Sequence, residues 1–212
     1  MDEQAGPAPS SLTPSSTGRR LLAAQIRALA SATVLTTAGD QALARALLLV
    51  RDAAEELSAS TRSSRYDGVA GLAPGSAANE AIWETHAAFG RSNPLAPPVE
   101  PEEGPGHLTA SVTFGGASEG GPGSVYGGFI AAVFDGMLGR AVLSAGHLAV
   151  TRSLTVRYLH PTPLHVALRV ESVAGEQVGR DVTVTGRMWA ERTLTCEAEA
   201  VFTCVDPDRY RL

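Results

Sequence analysis

The stretch Gly121-Pro-Gly-Ser-Val-Tyr126-Gly127-Gly128-Phe-Ile-Ala-Ala-Val-Phe-Asp135 carries both the fold and the chemistry of this chain. A Gly/Pro loop runs into two glycines that open a helix, expected from Gly127 to about Ser144. Phe129, Ile130, Val133, Phe134, Met137, Leu138 and Val142 make that helix apolar nearly all round, the mark of a buried element. Asp135, two turns in, is a carboxylate on a greasy helix, where burial costs enough to demand a reason. The bare N–H groups at the glycine end stand at the positive pole of the helix, where negative charge is held.

The segments around this helix alternate with period two. Leu108, Ala110, Val112 and Phe114 share one parity before it. After it come Val150, Leu154, Val156 and Tyr158, then Leu164, Val166, Leu168 and Val170. Val178, Val182, Val184 and Met188 follow, then Leu194, Cys196, Ala198, Ala200, Phe202 and Cys204. Thr, Arg, Glu, Asp and His fill the opposite parity, so these segments predict an antiparallel sheet with one dry face. The short connections His160–Pro163, Ala174–Gln177 and Ala190–Thr193 predict that the last four strands form a meander. The simplest α+β architecture wraps one curved antiparallel sheet around the one long helix.

At 212 residues the chain suits one domain with extensions, and 44% hydrophobic residues supply a core. Aromatic residues are only 5%, so that core is built mainly from Val, Leu and Ala. A net charge of −5 argues against nucleic acid as a partner. All 17 basic residues are Arg. Cys196 and Cys204 sit on one expected strand, ~26 Å apart at ~3.3 Å per residue, too far for a disulfide. They read as apolar filler in a reducing compartment. No run approaches the ~20 apolar residues of a membrane span. Met1-Asp-Glu has neither the basic start nor the apolar core of a signal peptide, so a soluble, cytoplasmic protein is expected.

Composition divides the remainder. Residues 1–18, rich in Pro, Ser, Thr and Gly, are expected to be disordered. Residues 19–76 form a helical N-terminal extension, with helices over Arg19–Thr33 and Gln41–Ser58, the second capped by Asp40. Leu43, Leu47, Val50 and Leu57 lie along one side of it, suited to pack on the sheet or on a partner. Ser60–Pro105 reads mostly as loop. Within it, the prolines of Ser92–Val99 predict an extended connector, and Ala77–Phe89 a short helix bearing Trp83. Residues 77–212 make the main domain.

Helical spacing gathers Gly128, Ala131, Ala132, Asp135 and Gly139 on one small-sided face, with bulky residues elsewhere. A narrow slot leading to a carboxylate suits an extended thioester arm, with the glycine N–H groups to hold a developing oxyanion. The competing reading of Asp135 is a cap or an ion pair with Arg140. Those two lie ~140° apart around the helix, which disfavours direct pairing. Thr151 shares the wet parity with Ser153, Thr155 and Arg157. The five histidines show no metal-ligand spacing, no metal site is expected, and no Gly-x-Ser-x-Gly elbow is present.

From about Trp83 to Val205 the chain resembles the PaaI-like acyl-CoA thioesterases of the hotdog superfamily. The likeness lies in Asn93-Pro-Leu-Ala-Pro-Pro98, Gly121-Pro-Gly-Ser-Val-Tyr126-Gly127-Gly128, Phe134-Asp135-Gly-Met-Leu-Gly139 and Thr151-Arg-Ser-Leu-Thr-Val-Arg-Tyr-Leu-His-Pro161-Thr-Pro163-Leu. The resemblance implies a hotdog fold, usually paired edge to edge as a homodimer or dimer of dimers, with no cofactor. It implies hydrolysis of an acyl-CoA or related thioester. Asp135 would be base or nucleophile, Gly128 (or Gly127) would hold the oxyanion, and Thr151, from the partner protomer in that family, would assist. Tyr126 stands where the family has His; a phenol still donates a hydrogen bond but shuttles no proton near neutral pH. Tyr126, Gly127, Arg152 and Arg157 are the substrate-binding candidates, the two arginines for coenzyme A phosphates. A hotdog enoyl-CoA hydratase or dehydratase, which wants an Asp and a His, and a non-catalytic acyl-thioester binder are the alternatives.

Overall fold

The computed structural model describes residues 14–67 and 77–206. Three helices come first: α1 (Pro14–Leu35), α2 (Asp40–Ser58) and α3 (Ala77–Glu84). Strands β1 (Val99–Gly104) and β2 (His107–Val112) precede the long helix α4 (Gly127–Ser144). Strands β3 (Ala149–Tyr158), β4 (Leu168–Val178), β5 (Asp181–Ala190) and β6 (Thr193–Cys204) complete the chain. All six strands form one antiparallel sheet in the order β1-β2-β4-β5-β6-β3.

The dry parity is where alternation put it. Leu108, Val112, Leu168, Val170, Val182, Val184, Met188, Cys196 and Phe202 are buried against Ile130, Val133, Phe134, Met137 and Leu138 of α4. Each fully buried Leu, Val or Phe contributes roughly 1.5–3 kcal/mol relative to exposure. The sheet curls so that α4 touches every strand, which is the hotdog fold. By length and composition α4 would also cross a membrane, with mean hydropathy 1.3 over 18 residues, against the expectation of no such run. Half of it is buried inside the domain, so it is a core helix.

Five expectations are corrected. The meander comprises β4, β5 and β6 only, because β3 lies at the far edge on β6. Strands β2 and β3 run in the same direction, and parallel strands need a crossover, which α4 supplies. Strand β1 was hidden in the expected loop; Pro101 is tolerated there because β1 is an edge strand. The stretch Ala174–Gln177 is a bulge within β4, and the chain reverses at Gly179 (φ 64°). Val178 therefore leaves the core and is 79% exposed, and Tyr158 is exposed at the sheet edge. Both cysteines are free, as expected.

Of the expected tail, residues 1–13 lie outside the described residues, while residues 14–18 belong to α1. Gly39, and not Asp40, occupies the N-cap of α2, with no side-chain cap. Helix α1 braces the proline connector. Arg20 donates to both oxygens of Glu84 at 2.5 Å, and Arg27 donates to the carbonyls of Asn93 (2.9 Å) and Ala96 (3.4 Å). Prolines delete donors but leave carbonyls, and the guanidinium satisfies these. Helix α2 buries no residue, so its stripe of Leu43, Leu47, Val50 and Leu57 does not pack on the sheet of its own chain.

Candidate active site

Asp135 sits on the exposed side of α4, between buried Phe134 and buried Gly136. Thr151 Oγ1 donates to Asp135 Oδ1 at 2.8 Å. This contact contradicts the wet-parity assignment of Thr151, and the cause is a bulge in β3. The register shifts between Thr151 and Ser153, so Thr151 pairs with Phe202 while Ser153 pairs with Val201. Cross-strand partners share a face, so Thr151 shares the helix-facing side of buried Phe202. The threonine comes from the same chain as the carboxylate. Oδ2 has no hydrogen-bond partner among the described residues.

The pair opens on a cavity of about 480 Å³. One side is Asp135, Gly136, Gly139 and Thr151; Phe202 and Leu148 continue it. Tyr66, Ile82, Trp83 and His86, from the chain ahead of the sheet, also line it. Burial, together with the nearby Arg65 and Arg140 charges, pulls the His86 imidazole down to about 4, so it is neutral near pH 7. Its Nδ1 accepts from the Ala88 N–H at 3.1 Å. None of these wall residues was read from sequence as a site residue. The available signal was Trp83, His86 and Phe89 at three-residue spacing in a chain poor in aromatics.

The helix start is open. Tyr126 is the N-cap residue with no side-chain cap, and the N–H groups of Gly127 and Gly128 have no hydrogen-bond partner among the described residues. The Tyr126 ring folds over Gly128, where a Cβ would meet it at 2.5 Å. Tyr158 donates its hydroxyl to the Gly127 carbonyl at 2.8 Å. Gly127 lines a second cavity of about 430 Å³ with Ser124, Tyr158, Pro161 and Thr162. Gly128 and Asp135 share a helix face but lie ~10 Å apart along the axis at 1.5 Å per residue.

The two arginines lie elsewhere. Arg152 pairs with Asp181 at 2.8 Å and Arg157 with Glu197 at 3.4 Å, as exposed surface pairs outside both cavities. Arg140 does not meet Asp135; it pairs with Glu80 and Glu103 and lies over the Trp83 ring. Among the described residues, no cluster of three His, Cys, Asp or Glu side chains could hold a metal.

A hotdog sheet with a helix-borne carboxylate defines a class, and comparison with known proteins names it. Residues 122–197 match the model of the thioesterase superfamily. Acyl-coenzyme A thioesterase THEM4 of Mus musculus is 36% identical over 104 residues, 48% of this chain and 45% of that protein. Its Rattus norvegicus counterpart is 36% identical over 93 residues, 43% and 40% of the two chains. The matches thus span less than half the length of these relatives. The crystal structure of a thioesterase superfamily protein aligns over 93% of both chains, with TM-score 0.74 and 25% identity.

Proposed function

We propose that this protein hydrolyses acyl-CoA or related acyl thioesters, as a member of the PaaI-like branch, with Asp135 as the base. The observation that carries the reading is the Thr151–Asp135 hydrogen bond at an apolar cavity. The threonine holds Oδ1, so Oδ2 is free to take a proton from water as its oxygen attacks the thioester carbonyl. The carbon–sulfur bond then breaks, and the thiolate recovers a proton. A positioned base of this kind contributes ~10²–10⁴-fold. The names of the rodent relatives support the substrate class.

The oxyanion needs a donor, and the uncapped N–H of Gly128, with Gly127 beside it, supplies one worth about 3 kcal/mol. Because ~10 Å separates Gly128 from Asp135 within one helix, the donor for a given Asp135 comes from a second copy of the chain. Strand β3 is an edge with one unpaired side, suited to build a homodimer, with a dimer of dimers as the larger form. Tyr126 contacts the substrate beside Gly128. The free Cys196 and Cys204 fit a reducing compartment, and we place the enzyme in the cytoplasm.

Steady-state hydrolysis of an acyl-CoA panel by wild type and Asp135→Ala is the test. Turnover by wild type and its loss in the variant are expected; no turnover of any thioester, or an equally active variant, overturns the proposal. The Tyr126 ring over Gly128 favours a second reading, a non-catalytic acyl-thioester binder. Activity that emerges only with Tyr126→His would establish that reading.

A further inference from the structure

The chain ahead of the sheet does more than decorate the domain. Tyr66, Ile82, Trp83 and His86 share the Asp135 cavity, although none belongs to the sheet or to α4. We propose that these four residues form the acyl compartment and select apolar acyl groups of roughly 8–14 carbons over acetyl; this rests on the thioesterase reading above.

Position comes first. Gly136 directly follows Asp135, and a Cβ there would meet Phe89 Cε1 at 2.4 Å and His86 Cε1 at 3.0 Å. The aromatic wall is thus seated on the catalytic turn of α4, and only glycine permits that approach. An acyl group whose carbonyl carbon lies beside Asp135, within reach of the water that this carboxylate activates, extends toward these rings.

Rigidity comes next. The Phe89 ring stacks on Trp83 (5.3 Å) and on His86 (4.4 Å), and the Arg140 guanidinium lies 5.3 Å from the Trp83 ring centre. Arg65 donates to the Ile82 carbonyl at 3.3 Å and lies over the Tyr66 ring, tying the two wall segments together. The wall is therefore preformed, as ligand pockets usually are.

Size and polarity set the guest. A volume of about 480 Å³ holds on the order of 16 water-sized groups at ~30 Å³ each. Part of that space is the mouth, which brings the estimate to medium-length chains. An acetyl group would leave most of an apolar room hydrated. His86 is neutral there, and the Arg65 guanidinium, which also lines the cavity, is engaged by the Tyr66 ring and the Ile82 carbonyl.

Two measurements test the wall. The first is kcat/KM for acetyl-, octanoyl-, dodecanoyl- and phenylacetyl-CoA with wild type, Ile82→Trp and Trp83→Ala. Wild type should favour octanoyl or dodecanoyl over acetyl by tenfold or more. Ile82→Trp, which fills the cavity, should lower the dodecanoyl-to-acetyl ratio at least tenfold. Trp83→Ala, which enlarges it, should raise the ratio of dodecanoyl to octanoyl. Ratios unmoved in both variants, with hydrolysis retained, overturn the inference. The second is calorimetric binding of the non-hydrolysable thioether S-dodecyl-CoA against free CoA, which needs no turnover. Tenfold weaker thioether binding in Ile82→Trp, with free CoA unchanged, supports the wall even if no thioester is hydrolysed; equal thioether affinity in wild type and variant overturns it.

Discussion

Thr151 and Asp135, sixteen positions apart in sequence and on different elements, are joined by a 2.8 Å hydrogen bond from the threonine hydroxyl to the carboxylate. The bulge in β3 makes the contact, since it returns Thr151 to the face shared with Phe202. The bond fixes one carboxylate oxygen and so directs the other. Thr151→Ala should lower kcat about tenfold with KM little changed, and Thr151→Ser should restore most of it. Asp135→Asn should cost ~10²–10⁴-fold in kcat. Steady-state kinetics, with far-UV circular dichroism to confirm folding, check all three.

His86 makes stability depend on pH. Its folded value of about 4 lies below the ordinary 6.5, so between these values the unfolded chain holds the proton and the folded chain does not. Its contribution is complete above pH 6.5 and is lost as pH falls through 6.5 toward 4. The full amount is about 3 kcal/mol. Denaturant unfolding at pH 7.5 and pH 4.5 should show this loss, and His86→Phe should reduce it; an unchanged difference would remove His86 as the source.

Arg27 holds the proline connector through carbonyls at Asn93 and Ala96. Arg27→Ala leaves those acceptors without their donor, at about 1–3 kcal/mol. For a chain of this size, each kcal/mol moves Tm by roughly 2–4 °C. Thermal unfolding should therefore show Tm lower by several degrees, whereas Arg157→Ala, at an exposed pair, should shift it by a degree or less.

Gly136→Ala should push His86 and Phe89 off α4, because the added methyl overlaps the Phe89 ring. Overpacking of this kind costs typically 1–3 kcal/mol. Thermal unfolding measures the loss. Gly139→Ala on the same helix is the control, since its Cβ meets Phe202 at an ordinary 3.4 Å and should be tolerated.

Much of this architecture was legible from local pattern. Burial acts on each side chain's own face, so period-two alternation marked the dry side of β2, β4, β5 and β6, and an all-round apolar run marked α4 as the central helix. Asp135 stood out for the same reason, as the single acidic residue on that run. Pattern also misled where backbone irregularity intervened. The β4 bulge looked like a turn, Pro101 concealed an edge strand, and the β3 bulge reversed the side taken by Thr151. Arg152 and Arg157 share the outer strand face with carboxylates that sequence spacing does not reveal.

Composition and periodicity alone determined the central helix, most of the strands, the dry face and the acid on the helix, because each depends on neighbours within a few residues. Strand order, the meeting of Thr151 with Asp135, and the wall of Tyr66, Ile82, Trp83 and His86 were decided only by the tertiary structure. Alternating strands are equally good partners for one another by pattern. Which pair forms depends on where a crossover helix delivers the chain, and that is a property of the whole packed domain.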